Sequence, residues 1–181
     1  MIDSIISSKT RIKLLLKFFL TEGTAGYLRG LSAEFRESSN GIRIELKRLT
    51  EAGLLTTFAD GNKRMYQANS AHPLYEQIHQ IVRKHIGLDQ IVDTVVRQLG
   101  DLEQVYLTGS FSEGIDSGII DLLFVGEIDK VYLFKLLEKV ESTVNRKVRF
   151  VVYTAADVTA GALETFTPRP LLLWDKSSSE A

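Results

Sequence analysis

The chain has 181 residues, 44% hydrophobic and 25% charged, with a formal net charge of −1, which excludes wholesale disorder and a fibrous repeat. No apolar run reaches the ~20 residues of a membrane span, and the densest, Leu14 to Leu20, is short and broken by Lys17, so no membrane partner is expected. The absence of cysteine excludes disulfides, thiolate nucleophiles and thiolate-bound zinc, and with no secretory leader visible it predicts a cytoplasmic protein.

Residues 9–22 place Ile12, Leu15, Leu16 and Phe19 on one helical face, and Gly23 ends that helix. A second helix is predicted over 28–36, with Leu28, Leu31 and Phe35 inward and Arg29, Glu34 and Arg36 outward. The cluster Glu37-Ser38-Ser39-Asn40-Gly41 reads as a turn and an N-cap. A third helix follows over about 40–52, with Ile42, Leu46 and Leu49 on one face and Arg43, Lys47 and Thr50 on another. After Gly53 the period changes. Residues 54–58 and 63–68 read as strands around Ala59-Asp60-Gly61-Asn62, where Asp-Gly is a hairpin signal.

Helix, helix, turn, helix, hairpin is the order of a winged helix-turn-helix. The run Gly41 to Leu55, with its Leu-x-x-Leu-x-x-x-Gly-Leu-Leu pattern, resembles the recognition helix and first wing strand of ArsR-type bacterial repressors. Gly61-Asn62-Lys63-Arg64-x-Tyr66 is similar to their wing, and the resemblance covers about residues 9–85. It implies double-stranded DNA as a partner. A helix fits the major groove with its N-terminal side chains at base edges. Ser39, Asn40, Arg43, Ile44 and Lys47 are expected on the exposed face: Arg43 for guanine, Asn40 for adenine, Ile44 for a thymine methyl. Lys63 and Arg64 are expected at phosphates or in the minor groove. The competing reading is a merely solvated helix face, or a winged helix that binds protein.

Repressors of this type often sense metals through Cys or His. Here Cys is absent, and His72, His79 and His85 are spaced so that at most two share a helix face, so no metal and no cofactor are expected. Residues 72–86 form a predicted helix with Leu74, Ile78, Ile81, Val82 and His85 inward. After Gly87, Leu88, Ile91, Val92, Val95 and Leu99 form another stripe. In similar repressors the helix after the wing builds a two-fold dimer, so a homodimer is expected.

From residue 103 the pattern is that of an α/β unit. Strands are predicted over 103–108, 119–125 and 148–153, with an extended segment over 171–174. Helices are predicted over 129–144, with Val131, Phe134, Leu137, Val140 and Val144 on one face, and over 155–164. Residues 176–181 are expected to be disordered. Gly109-Ser110, a short helix, then Asp121-Leu122-Leu123-Phe124-Val125 resembles the minimal nucleotidyltransferase fold of the DNA polymerase beta superfamily. The resemblance implies a nucleotide held at the Gly-Ser turn and metals held by Asp-x-Asp and a third carboxylate. Clustered carboxylates serve in-line phosphoryl transfer because two oxygen-bound Mg²⁺ ions clamp the attacking and leaving oxygens.

Asp121 matches the second Asp, but Ile119 stands at the first position and Arg149 near the third. Asp116 lies too far along the chain to restore Asp-x-Asp. The expectation is therefore not an enzyme but a degenerate site, with Gly109, Ser110, Asp121 and Arg149 as a possible nucleotide-binding remnant and Asp121 paired with Arg149 across adjacent strands. The expected fold class is α+β: a winged helix-turn-helix over 1–70, linker and dimerisation helices over 71–100, and a small α/β nucleotidyltransferase-like domain over 101–181. Resolved by position, the net charge is +4, 0 and −5 over those three segments, a basic front joined to an acidic back. The expected function is DNA-binding transcriptional regulation, with a nucleotide or small molecule as possible effector. The alternative is an active nucleotidyltransferase that uses its winged helix to hold its substrate. A toxin–antitoxin-like partner protein is a third reading, disfavoured because both parts share one chain.

Overall fold

The computed structural model describes residues 6–159 and 161–179. The fold is α+β and divides into two units, Met1–His85 and Ile86–Ala181. The first has the winged-helix order: α1 (Lys9–Phe19), β1 (Ala25–Tyr27), α2 (Leu28–Phe35), α3 (Ser39–Glu51), then the hairpin β2 (Leu55–Asp60) and β3 (Lys63–Ala68). The three strands form an antiparallel sheet in the order β1-β3-β2. Strand β1 is too short to carry a periodic signal, and the sequence reading did not contain it.

Helix α1 is the core of this unit. Leu14, Phe18, Phe19 and Leu20 are fully buried; each such side chain contributes roughly 1.5–3 kcal/mol through removal of apolar surface from water. Ser8 caps the helix by accepting from the Arg11 N–H. At the other end a ring nitrogen of His79 lies 2.6 Å from the Phe19 carbonyl, one of the groups a helix end leaves without an intrahelical partner. His79 comes from α4 (Tyr75–Ile86). His72 lies before that helix, where its Nδ1 accepts from the Leu74 N–H.

Helix α2 stops at Phe35, one residue short of expectation, because Arg36 takes a left-handed conformation (φ 54°). The turn into α3 is fastened by Ser32. Its hydroxyl donates to the Glu37 carbonyl at 2.6 Å and accepts from the Ser39 hydroxyl at 3.1 Å.

Two amphipathic faces differ from expectation. On α4 the inward residues are Tyr75, Val82 and Ile86, while Leu74 and Ile81 are exposed. The stripe begins on Tyr75, whose ring lies 5.7 Å from that of Phe19. On α7 (Lys130–Val144) Leu133, Leu136, Leu137 and Val140 are buried, and Val131 and Phe134 are exposed. Two apolar stripes overlap in that sequence, and the one richer in leucine takes the core.

The segment 71–100 is divided between the units at His85 and Ile86, so α4 lies largely in the first and α5 (Leu88–Gln98) in the second. The second unit is built on a four-stranded sheet in the order β6-β5-β4-β7. Its strands are β4 (Leu102–Thr108), β5 (Ile119–Gly126), β6 (Lys147–Tyr153) and β7 (Leu171–Asp175). Pairing is antiparallel for β4 with β5 and β7, and parallel for β5 with β6. Alternation puts Val105, Leu107, Ile120, Leu122 and Phe124 on one face, where all are buried, and the buried Leu123 and Val125 on the other. The opposite face carries Tyr106, Thr108, Asp121 and Arg149.

A single turn, α6 (Gly109–Ser112), follows β4. The helix predicted over 155–164 is broken in two: α8 (Ala155–Thr159), then a 3-10 turn over Ala162–Thr165. Gly161, at φ 87°, separates them. Lys176–Ser179, expected to be disordered, form the helical turn α9, where the Asp175 carboxylate accepts from the Ser177 N–H at 2.8 Å. Residues 180 and 181 lie outside the described residues. No described helix is long and apolar enough to cross a membrane.

Candidate functional site

Helix α3 is divided cleanly between core and surface. Ser38 caps it by accepting from the Gly41 N–H. Ile42, Leu46 and Leu49 face inward, and Asn40, Arg43, Ile44 and Lys47 face solvent. Ile44 is 44% exposed, which is unusual for so apolar a side chain and leaves it available for contact. Ser39 departs from expectation: it is half-buried and spends its hydroxyl on Ser32. Among the described residues Lys47 pairs with Glu51 at 3.6 Å on the surface, a contact worth roughly 0.3–0.5 kcal/mol and readily exchanged for another anion.

One acidic residue of α3 points inward. Glu45 takes the Arg11 Nε–H at 2.8 Å, the Ser8 hydroxyl at 3.0 Å and Arg48 at 3.1 Å. Burial opposes its ionisation, but these hydrogen bonds and the charges of Arg11 and Arg48 outweigh that, and its pKa lies below the ordinary glutamate value. The outward face of α3 is left cationic because its carboxylate is used to fix the helix to α1.

The wing turns at Gly61-Asn62, with Asp60 opposite Lys63 across the hairpin. Lys63 and Arg64 are both exposed. The Lys63 ammonium lies 4.5 Å from the centre of the Tyr27 ring, and the Arg64 guanidinium 5.5 Å from that of Tyr66. Each cation rests on an aromatic face, an arrangement worth about 0.5–1 kcal/mol at the surface. Phe58, on β2, is 45% exposed.

In the second unit, Gly109 opens the turn at φ 63°. A β-carbon there would stand 2.5 Å from Asp121 Oδ2, so glycine is required twice over, by conformation and by the carboxylate lying against it. Asp121 sits opposite Thr108 on one side and Arg149 on the other. Arg149 grips it with two bonds, Nε to Oδ1 at 2.6 Å and Nη2 to Oδ2 at 2.9 Å. That hydrogen bonding, and the Asp121 charge, raise the Arg149 pKa further. Ser110 is half-buried beside Gly109.

A second pair was not foreseen. Asp116, in the loop after α6, is gripped by Arg146 through Nη1–Oδ1 at 2.5 Å and Nη2–Oδ2 at 2.8 Å. The Arg146 guanidinium also lies 5.2 Å from the Phe111 ring centre. Loop geometry, which brings Asp116 back toward the start of β6, leaves no periodic signal. Both carboxylates are therefore forked by arginine, and a hard cation would compete with a guanidinium at either. Among the described residues no group of three or more His, Asp or Glu side chains is placed to hold a metal ion.

No protein-family model matches the chain, and no curated protein does. Several solved structures overlap with about half of it. One is the tri-AMPylated Shewanella oneidensis HEPN toxin in complex with MNT antitoxin, at 17% identity over 51% of this chain and 72% of that one, TM-score 0.37. Another is reduced HlyU from Vibrio cholerae, at 14% identity over 46% and 82%, TM-score 0.36. A third is a candidate nucleotidyltransferase from Sulfolobus solfataricus, at 25% identity over 55% and 87%, TM-score 0.37. Overlaps of this extent assign neither an activity nor a ligand to this chain.

Proposed function

We propose that the chain is a DNA-binding transcriptional regulator. Its winged helix reads double-stranded DNA as part of a homodimer. Its second unit, nucleotidyltransferase-like in fold, transfers no nucleotide and serves regulation or dimerisation. The observation that carries this reading is the division of α3. Asn40, Arg43, Ile44 and Lys47 face outward, while Glu45 is turned in and neutralised against α1. An exposed helix face with donors and an apolar contact, free of exposed acid until Glu51, suits base edges in a major groove. The wing adds Lys63 and Arg64 for phosphate. The absence of transfer activity is supported by Ile119 and Arg149 at acidic positions and by the two forked carboxylates.

The test is a selection of bound duplexes from random DNA with the full chain. Enrichment of a defined sequence is expected, two-fold symmetric if the dimer forms. If no sequence is enriched and binding is absent even at low salt, the DNA reading fails.

A further inference from the structure

One cavity of the second unit is lined by none of the residues around Gly109. It has a volume of about 780 Å³ and opens beside β4, under the 3-10 turn and the segment leading into β7. This is the size range of small-molecule sites, and the lining mixes apolar side chains with polar and charged ones. Leu163, Phe166 and Pro170 supply apolar wall. The Phe166 ring is fixed edge-on to Tyr153, with centres 6.1 Å apart. Tyr106 adds a hydroxyl that donates to Gln104 Oε1 at 3.0 Å, and Gln104 in turn donates to Asp175 at 2.6 Å. The phenol oxygen keeps acceptor capacity toward the cavity.

Two opposite charges line the same cavity, Glu164 and Arg169. Neither forms an ion pair among the described residues. A Glu164 carboxylate oxygen lies 3.7 Å from where a β-carbon on Gly161 would be, against the cavity wall. Arg169 is held between Pro168 and Pro170, whose rings fix their own φ and restrict the residue between them. An acid and a base on one partly apolar cavity complement a ligand with both charges and an apolar body.

We propose that this cavity binds a free α-amino acid with an apolar side chain, its carboxylate on Arg169, its ammonium on Glu164 and its side chain against Leu163 and Phe166. The carboxylate meets a planar donor fork, the ammonium an acceptor pair, and the side chain loses water against Phe166. The site is independent of the DNA reading.

Titration calorimetry of the full chain with L-phenylalanine tests the proposal. Phenylalaninamide, which keeps only the ammonium, and N-acetylphenylalanine, which keeps only the carboxylate, are the comparison probes. The proposal requires saturable binding of phenylalanine and at least tenfold weaker binding of both analogues. Arg169→Gln should weaken phenylalanine to the level of the amide, and Glu164→Gln should weaken it to the level of the acetylated acid. Both side chains are exposed, so the variants are expected to fold, and an unchanged urea midpoint checks this. The proposal is overturned by no binding up to about 10 mM ligand, by analogues that bind as well as phenylalanine, or by an Arg169→Gln variant that binds undiminished. Loss of amino-acid binding in a chain that still selects DNA counts against the cavity alone.

Discussion

Arg149 stands near a position where the resemblance implies a carboxylate, and its cation lies against Asp121 in place of a second negative charge. Its two N–H groups occupy both oxygens of Asp121, and Arg146 does the same to Asp116. In-line phosphoryl transfer needs cations where the attacking and leaving oxygens gather charge. A guanidinium supplies charge but cannot activate a hydroxyl by coordination. Incubation with nucleoside triphosphate and Mg²⁺ or Mn²⁺ should therefore give no transfer, for the native chain and for Asp121→Ala alike. Robust turnover abolished by Asp121→Ala would establish the enzyme reading instead. The Asp121–Arg149 pair was legible in the sequence through the resemblance, which sets both residues at carboxylate positions of neighbouring strands. The Asp116–Arg146 pair was not, since it depends on the path of an irregular loop. Ser39 was misplaced for a related reason: its distance from the helix start suits base contact, but Ser32 competes for its hydroxyl within the turn.

The orientation of α3 depends on α1, and the tie is ionic. Glu45 is 6% exposed and accepts from Arg11, Ser8 and Arg48. Glu37 behaves similarly. Burial raises its pKa, but hydrogen bonds from Lys13 and Thr10 and the Lys13 charge bring it below the ordinary value. A carboxylate with a depressed pKa in the folded state contributes stability above its unfolded pKa, about 4.3, and loses it as pH falls through the lower folded value. Urea midpoints measured from pH 7 to pH 3 should therefore fall on the acid side, and less steeply for Glu45→Gln. At pH 7 the same substitution should cost about 1–3 kcal/mol, because Arg11 loses its charged acceptor. A Glu45→Gln midpoint equal to the native one at pH 7 would remove this tie from the account. The apolar periods located helices α1 to α5 and α7 in the sequence, because each buries one stripe. They did not choose the stripe where two overlapped, as Leu74 and Phe134 show by their exposure. Packing against particular neighbours, such as Tyr75 on Phe19, makes that choice.

Over the whole chain, a net charge of −1 conceals +4 in residues 1–70 and −5 in residues 101–181. The acidic part opposes approach to phosphate, so nonspecific affinity should be modest and strongly dependent on salt. The proposed DNA reading assigns sequence preference to α3 and electrostatic attraction to the wing, which gives separable signatures. Binding constants measured against salt concentration on selected and unrelated duplexes test this most directly, using the native chain, Arg43→Ala and Lys63→Ala. Arg43→Ala should lose about 1–3 kcal/mol on the selected duplex and little on the unrelated one. Lys63→Ala should weaken both alike and reduce the salt slope by about one. Equal effects of the two substitutions on both duplexes, or no binding by the native chain at low salt, would contradict the account.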